Sequence, residues 1–276
     1  MTYSSPPDLE TALDALRSGD PCIVAGGTDV YPAMSQGKAP ASFLDVTGIA
    51  GLAAIQTDGD TIRIGAVATW SDIVNADLPP AFDALKSAAR DVGSVQIQNA
   101  GTVAGNLCNA SPAADGVPPL LALDATVELA SAARGVRMLP LAAFITGVRQ
   151  TALARDELVL SVHVPKPPAG MTSAFGKLGS RRYLVISIAM TAVNLVLDGQ
   201  GRIAEARVAI GACSAVAQRL PTLEADLIGQ RPEAVVVAPE HLAPLAPIDD
   251  ARASADYRWV AAAEQCARVI KRAATG

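Results

Sequence analysis

Apolar positions at Leu9, Ala12, Leu13 and Leu16 repeat with the i, i+3, i+4 spacing of one helix face; Asp8 is placed to cap that helix and Gly19 to stop it. The apolar run 22–25 predicts a short buried strand and 42–46 a second, while Asp58-Gly59 between residues 52–56 and 61–66 predicts a hairpin. Thr69 and Asp72 have capping-box spacing for a short helix carrying Trp70, Ile73 and Val74. In that helix Trp70 is expected to be core. Phe82, Leu85, Ala88, Ala89 and Val92 mark another amphipathic helix, whereas Val95 and Ile97 alternate with polar neighbours and predict a strand. Ser111-Pro112 reads as the N-cap and first position of a helix, and Leu120, Leu121 and Leu123 as a helical segment bent by Pro118 and Pro119.

Strands are predicted near 126–129 and 136–139, and alternation of Leu158, Leu160, Val162 and Val164 predicts one more. The stretch 165–170, with three prolines and a glycine, is the clearest linker and divides the chain into domains 1–165 and 171–276. Beyond it, a long strand at 187–197 turns at Asp198-Gly199 into a second at 207–210, and the tail from Arg252 is helical. The expected fold class is α+β.

Composition narrows the function classes. The chain has 276 residues, 50% hydrophobic and 18% charged, enough for a substantial core in two domains. Its formal charge is −5 and its Lys and Arg residues are dispersed, which predicts no nucleic-acid partner. The start of the chain has neither a basic region nor an apolar core, and the apolar run 183–197 is too short and too interrupted to span a bilayer; a cytoplasmic protein is expected. Cys22, Cys108, Cys213 and Cys266 form no C-x-x-C pair, so they are expected as free thiols rather than ligands of a metal or iron–sulfur cluster. The only histidines, His163 and His241, adjoin no nucleophile motif, and His163 is expected on the outward face of its strand. No catalytic acid–base pair is expected. Gly199-Gln200-Gly201-Arg202-Ile203-Ala204 fits G-x-G-x-x-A, but Asp198-Gly199 reads as a hairpin turn without a following helical crossover, which excludes a Rossmann domain.

Two glycine-bearing stretches carry the chemistry. Ala25-Gly26-Gly27-Thr28-Asp29 leaves a predicted strand, and residues 99–115 combine Gly101, Thr102, Gly105, Asn106, Ser111 and Asp115 with almost no long side chain. Glycine permits the turns in which successive backbone N–H groups make an anion-binding concavity, so the two stretches together read either as holders of one diphosphate or as ordinary tight turns. Lys177, Arg181 and Arg182 form a local basic cluster, to be read as solvated surface or as cations beside a ligand.

These motifs resemble the FAD-binding medium subunit of the molybdenum hydroxylases, the group of xanthine dehydrogenase and carbon monoxide dehydrogenase. The resemblance continues through Phe144, Gly147, Thr151, Leu153, Glu157-Leu158 and Val164-Pro165, through residues 175–182, and through 252–258, covering nearly the whole chain. It implies an FAD-binding domain of two α/β subdomains, of the PCMH type, followed by a smaller α+β domain with an antiparallel sheet. It further implies FAD held by Ala25, Gly26, Gly27, Thr28, Asp29, Gly101, Thr102, Gly105 and Asn106, with Ser111, Asp115 and Lys177 toward the flavin. The implied partners are a molybdopterin-binding large subunit, a two-iron two-sulfur small subunit and an external electron acceptor. Ala104 departs from the glycine common at its position. Two other readings differ in class: a self-sufficient flavin oxidase of the vanillyl-alcohol-oxidase type, and a cofactor-free interaction module.

Overall fold

The computed structural model describes residues 1–35, 37 and 39–276. Asp8 accepts from Thr11 N at 2.8 Å and so caps α1 (Leu9–Ser18), which buries Ala12 and Leu16. This helix joins β1 (Thr2–Ser4) to β2 (Cys22–Val24), and α2 (Val30–Ser35) joins β2 to β3 (Ser42–Asp45). The three strands form a parallel sheet in the order β1-β3-β2. Residues 25–29 therefore leave the carboxyl end of a parallel strand, the end at which ligands of open α/β sheets commonly bind.

The next unit contains β4 (Ile55–Asp58), β5 (Thr61–Gly65), α3 (Trp70–Asn75), α4 (Asp83–Asp91), α5 (Val95–Ala100), α6 (Val103–Asn109), α7 (Val117–Ala122), β6 (Thr126–Ser131) and β7 (Gly135–Pro140). It continues through α8 (Leu141–Phe144), the small hairpin β8 (Ile145–Gly147) and β9 (Gln150–Thr151), and β10 (Glu157–Pro165). The five long strands pair antiparallel in the order β4-β5-β10-β6-β7, with β10 at the centre. One face packs Ile62, Ile64, Val127, Val162 and Val164 against Phe82, Leu85 and Leu120; the other packs Leu158 and Leu160 against Ala12, Leu16 and Leu44. The central sheet is thus covered on both sides, which explains why β10 is buried along nearly its whole length.

The last unit is a four-stranded antiparallel sheet of β11 (Thr172–Leu178), β12 (Ala189–Leu197), β13 (Ile203–Gly211) and β14 (Gln218–Arg219), followed by α9 (Pro221–Leu227) and α10 (Ala255–Ala273). Val193 and Leu195 pack on Cys266, Val269 and Ile270 of α10, while Met190, Ala192 and Ala209 join the core cluster that contains α7. The result is an α+β chain, as expected. Among the described residues no helix is long and apolar enough to cross a membrane.

Three local expectations fail for identifiable reasons. Residues 95–100 are a helix, not a strand: Ser94 accepts from Ile97 N and Gln98 Nε2 holds the Arg90 and Val92 carbonyls. That helix buries no residue, so its apolar pattern carries no information about its period. Ser111 caps no helix; the capped helix lies upstream, where Thr102 accepts from Gly105 N at 3.0 Å and starts α6, and Ala110 ends it at φ 46°. Pro118 and Pro119 occupy the first turn of α7, where a missing N–H is harmless, and start the helix rather than bend it. His163 is half-buried on its strand and bonds Ser161 Oγ at 2.9 Å and Glu128 at 3.2 Å.

Candidate functional site

The turn after β2 closes because Gly27 takes φ +68°, a region open mainly to glycine. An added β-carbon there would overlap the Tyr31 ring, and one at Gly26 would overlap the Ala100 carbonyl at the end of α5. Gly26 thus lets the first loop lie directly on the second glycine segment. Among the described residues nothing accepts from the backbone N–H groups of Gly26, Gly27, Thr28 or Asp29. Four successive free donors beside a positive-φ glycine form a concavity suited to an anion.

The second segment is fixed from below. Trp70 N donates to Gly101 O at 3.1 Å, Val103 N donates to Ala68 O at 3.0 Å, and the Trp70 ring, 1% exposed, packs beneath Gly101 and Gly116. Trp70 is core, as its place on the helix predicted. Asn109 Nδ2 reaches across to Asp29 Oδ1 at 3.0 Å and ties the two segments together, and Arg149 in turn donates to the Asn109 carbonyl at 3.2 Å.

Between the segments runs a cleft of about 460 Å³. Nine of the twelve residues singled out in the sequence line it: Ala25, Gly26, Gly27, Thr28, Asp29, Gly101, Thr102, Gly105 and Asn106. Asn106 Oδ1 is buried and, among the described residues, has no hydrogen-bond partner. Buried polar atoms are seldom left unpaired, so this oxygen calls for a donor from a bound molecule or water. Val67, Leu158 and Val159 add an apolar wall. Free N–H groups, a cradle without β-carbons, an orphaned acceptor and an apolar wall together fit a ligand with a diphosphate and hydroxyl-bearing sugar, as FAD has.

The other three residues lie outside the cleft lining. Ser111 is half-buried in a turn, its Oγ accepting from Ala113 N at 3.3 Å. Asp115 and Lys177 meet each other: Lys177 Nζ donates to Asp115 Oδ2 at 2.7 Å and to the Asp91 carbonyl at 3.1 Å, and Ser187 Oγ donates to Asp115 Oδ1 at 2.8 Å. Burial pushes the Asp115 carboxyl above its ordinary range, opposed by the Lys177 charge. Gly116 joins this cluster to the cleft, since a β-carbon there would approach Asn106 Oδ1 at 3.0 Å. Sequence reasoning passed over Asn109 and Leu153 as cleft residues. Asn109 lay inside the small-residue stretch and was distinguishable only through its partner Asp29, 80 positions away.

Comparison with known proteins agrees with this geometry. Residues 1–167 match the family model described as the FAD binding domain in molybdopterin dehydrogenase, and residues 174–273 match the CO dehydrogenase flavoprotein C-terminal domain. The chain is 37% identical over 207 residues to the nicotinate dehydrogenase FAD-subunit of Eubacterium barkeri, covering 72% of this chain and 70% of that one. It is 32% identical over 276 residues to the nicotine 6-hydroxylase medium subunit of Paenarthrobacter nicotinovorans, covering 98% and 96%. Among solved structures, a chain of carbon monoxide dehydrogenase from Hydrogenophaga pseudoflava superposes with a TM-score of 0.89 at 27% identity, covering 99% of this chain and 96% of that one. The free donors of the Gly26 loop and the two matched domains lead to one conclusion: this chain belongs to the molybdenum hydroxylase flavoproteins, as an FAD-binding medium subunit of a dehydrogenase.

Proposed function

We propose that this chain is the electron-transfer subunit of a cytoplasmic complex, in which a molybdopterin-binding large subunit oxidises the substrate and a two-iron two-sulfur small subunit delivers the electrons. FAD, when bound here, supplies the ability to take up those electrons and release them to an external acceptor. The observation that carries this reading is the cleft in which the Gly26 loop, whose N–H groups have no acceptor among the described residues, faces the Gly101 segment.

In this reading domain 1–165 holds the cofactor and domain 171–276 contributes Lys177. The N–H groups of residues 26–29 bind the diphosphate, Gly101, Thr102, Gly105 and Asn106 hold the adenosine side, and Asn109 fixes the distance between the walls. Ser111, Asp115 and Lys177 stand toward the flavin. Lys177, held in place by its ion pair with Asp115, would stand beside the ring system of a bound FAD and favour negative charge there. The chain's own residues bind, orient and tune; none of them acts on the organic substrate.

The test is anaerobic mixing with the substrate of the complex while flavin absorbance is followed. Bleaching in the assembled complex and none in the lone chain is the expected result. Substrate-driven bleaching of the lone chain would replace this reading with a self-sufficient oxidase, and a lone chain that never takes up flavin would leave only the interaction module.

A further inference from the structure

The turn that joins β8 to β9 is Val148-Arg149, and Arg149 sits in it at φ +58°. Glycine enters that backbone region freely and an arginine only at a cost, and such strain persists where neighbouring bonds hold it. The bonds that hold it all run to the end of α6. Arg149 N donates to the Ala110 carbonyl at 2.9 Å, and Arg149 Nη1 donates to the Asn109 carbonyl at 3.2 Å and to Asn109 Oδ1. Ala110 is itself left-handed at φ 46°, so two strained residues other than glycine meet beside the cleft.

The side-chain contacts have a direction. A guanidinium only donates and a carboxylate only accepts, whereas a carboxamide does both, from opposite corners. Arg149 takes the oxygen corner of Asn109, which leaves the Nδ2 corner to donate to Asp29 Oδ1 at 3.0 Å. The flipped amide would set N–H against N–H on one side and oxygen against oxygen on the other. Arg149 therefore fixes which way the Asn109 amide faces, and only in that sense does Asn109 hold Asp29. Asp29 is the last residue of the Gly26 loop and lines the cleft with it. Arg149 and Asp29 are exposed and Asn109 is half-buried, so these bonds restrain a loop and not the core.

We infer that Arg149 is a positioning residue for the FAD site: by orienting the Asn109 amide it holds Asp29, and with it the N–H groups of residues 26–29, in the arrangement that receives the diphosphate. This rests on the reading of that loop as the holder of the diphosphate. It gives the hairpin β8–β9 a part in cofactor retention although none of its residues lines the cleft.

The experiment follows FAD release from the full flavin-loaded chain on dilution, read as the rise in flavin fluorescence, with the thermal midpoint of the flavin-free chain measured in parallel. Arg149→Gly removes the guanidinium, keeps the backbone N–H and suits φ +58°, so the flavin-free midpoint should hold. FAD should nevertheless leave it about threefold faster or more, the worth of a hydrogen bond or two. Asn109→Asp keeps an acceptor for Arg149 but turns an oxygen on Asp29, and should also release FAD faster than wild type. Adding Asp29→Asn to that variant restores a donor and an acceptor with their direction reversed, and should recover most of the loss. A turn that served the fold alone would show no such rescue. Release at the wild-type rate from Arg149→Gly, or a double variant that releases as fast as Asn109→Asp alone, would overturn the inference and leave the diphosphate reading standing. A wild-type chain that takes up no FAD would overturn both.

Discussion

Gly26 lies so close to the carbonyl of Ala100 that no β-carbon fits between them. The contact sets how far apart the two walls of the cleft stand, and Gly26→Ala must push them apart. Flavin content after gel filtration is expected to fall at least tenfold in Gly26→Ala while the far-ultraviolet dichroism of the folded chain is kept.

Gly27→Val acts differently, because φ +68° is unfavourable for a β-branched residue at a cost of roughly 1–3 kcal/mol. Gly101 has φ −65° and needs no special backbone region; its constraint is space, with Ile97 O at 3.0 Å and Thr28 Oγ1 and Trp70 Cδ1 at 3.5 Å from an added β-carbon. Gly101→Ala should therefore retain more flavin than Gly27→Val. Equal retention in both would assign the two glycines the same role.

The sequence made legible what is held by local bonds. Asp8 and the Thr69–Asp72 box cap the helices they were read to cap, and the hairpin turn at Asp58-Gly59 lies where two strands needed joining. Illegible were the features decided at long range. The pairing of β10 with β5 joins segments about a hundred residues apart, and Gly26 meets Ala100 across 74 positions only once that sheet exists. Val95 and Ile97 misled because an exposed helix has no apolar face to display its period. Ser111 misled because a cap was sought after the glycines, whereas Thr102 caps between them.

Lys177 and Asp115 form a buried ion pair, their side chains 8% and 11% exposed. Removing one partner leaves the other charge uncompensated, which commonly costs about 3–5 kcal/mol. Urea denaturation should show Lys177→Met strongly destabilised and the double variant Lys177→Met/Asp115→Asn recovering a substantial part of the loss. Additive effects in the two singles would mean that the pair carries no coupling.

Asp250 supplies a pH dependence. Its carboxylate accepts from Arg252 N at 2.8 Å, from Ala253 N at 3.2 Å and from the buried Arg258 guanidinium at 2.8 Å, and its pKa falls from 3.8 to about 2. Between those values the unfolded chain binds more protons than the folded one, so this contribution is complete above pH 3.8 and is lost as pH falls toward 2. The thermal midpoint of the wild type should decline more steeply through that window than that of Asp250→Asn, which should already be less stable at neutral pH. Parallel pH profiles would assign the acid sensitivity to other carboxylates.

The central claim is that one FAD lies between the Gly26 loop and the Gly101 segment. A crystal structure of the chain loaded with FAD tests it most directly. The account predicts density for the diphosphate within hydrogen-bond distance, about 3 Å, of the N–H groups of Gly26, Gly27, Thr28 and Asp29, with a donor bonded to Asn106 Oδ1. Density for FAD elsewhere on the chain, with those four N–H groups facing only water, would contradict it.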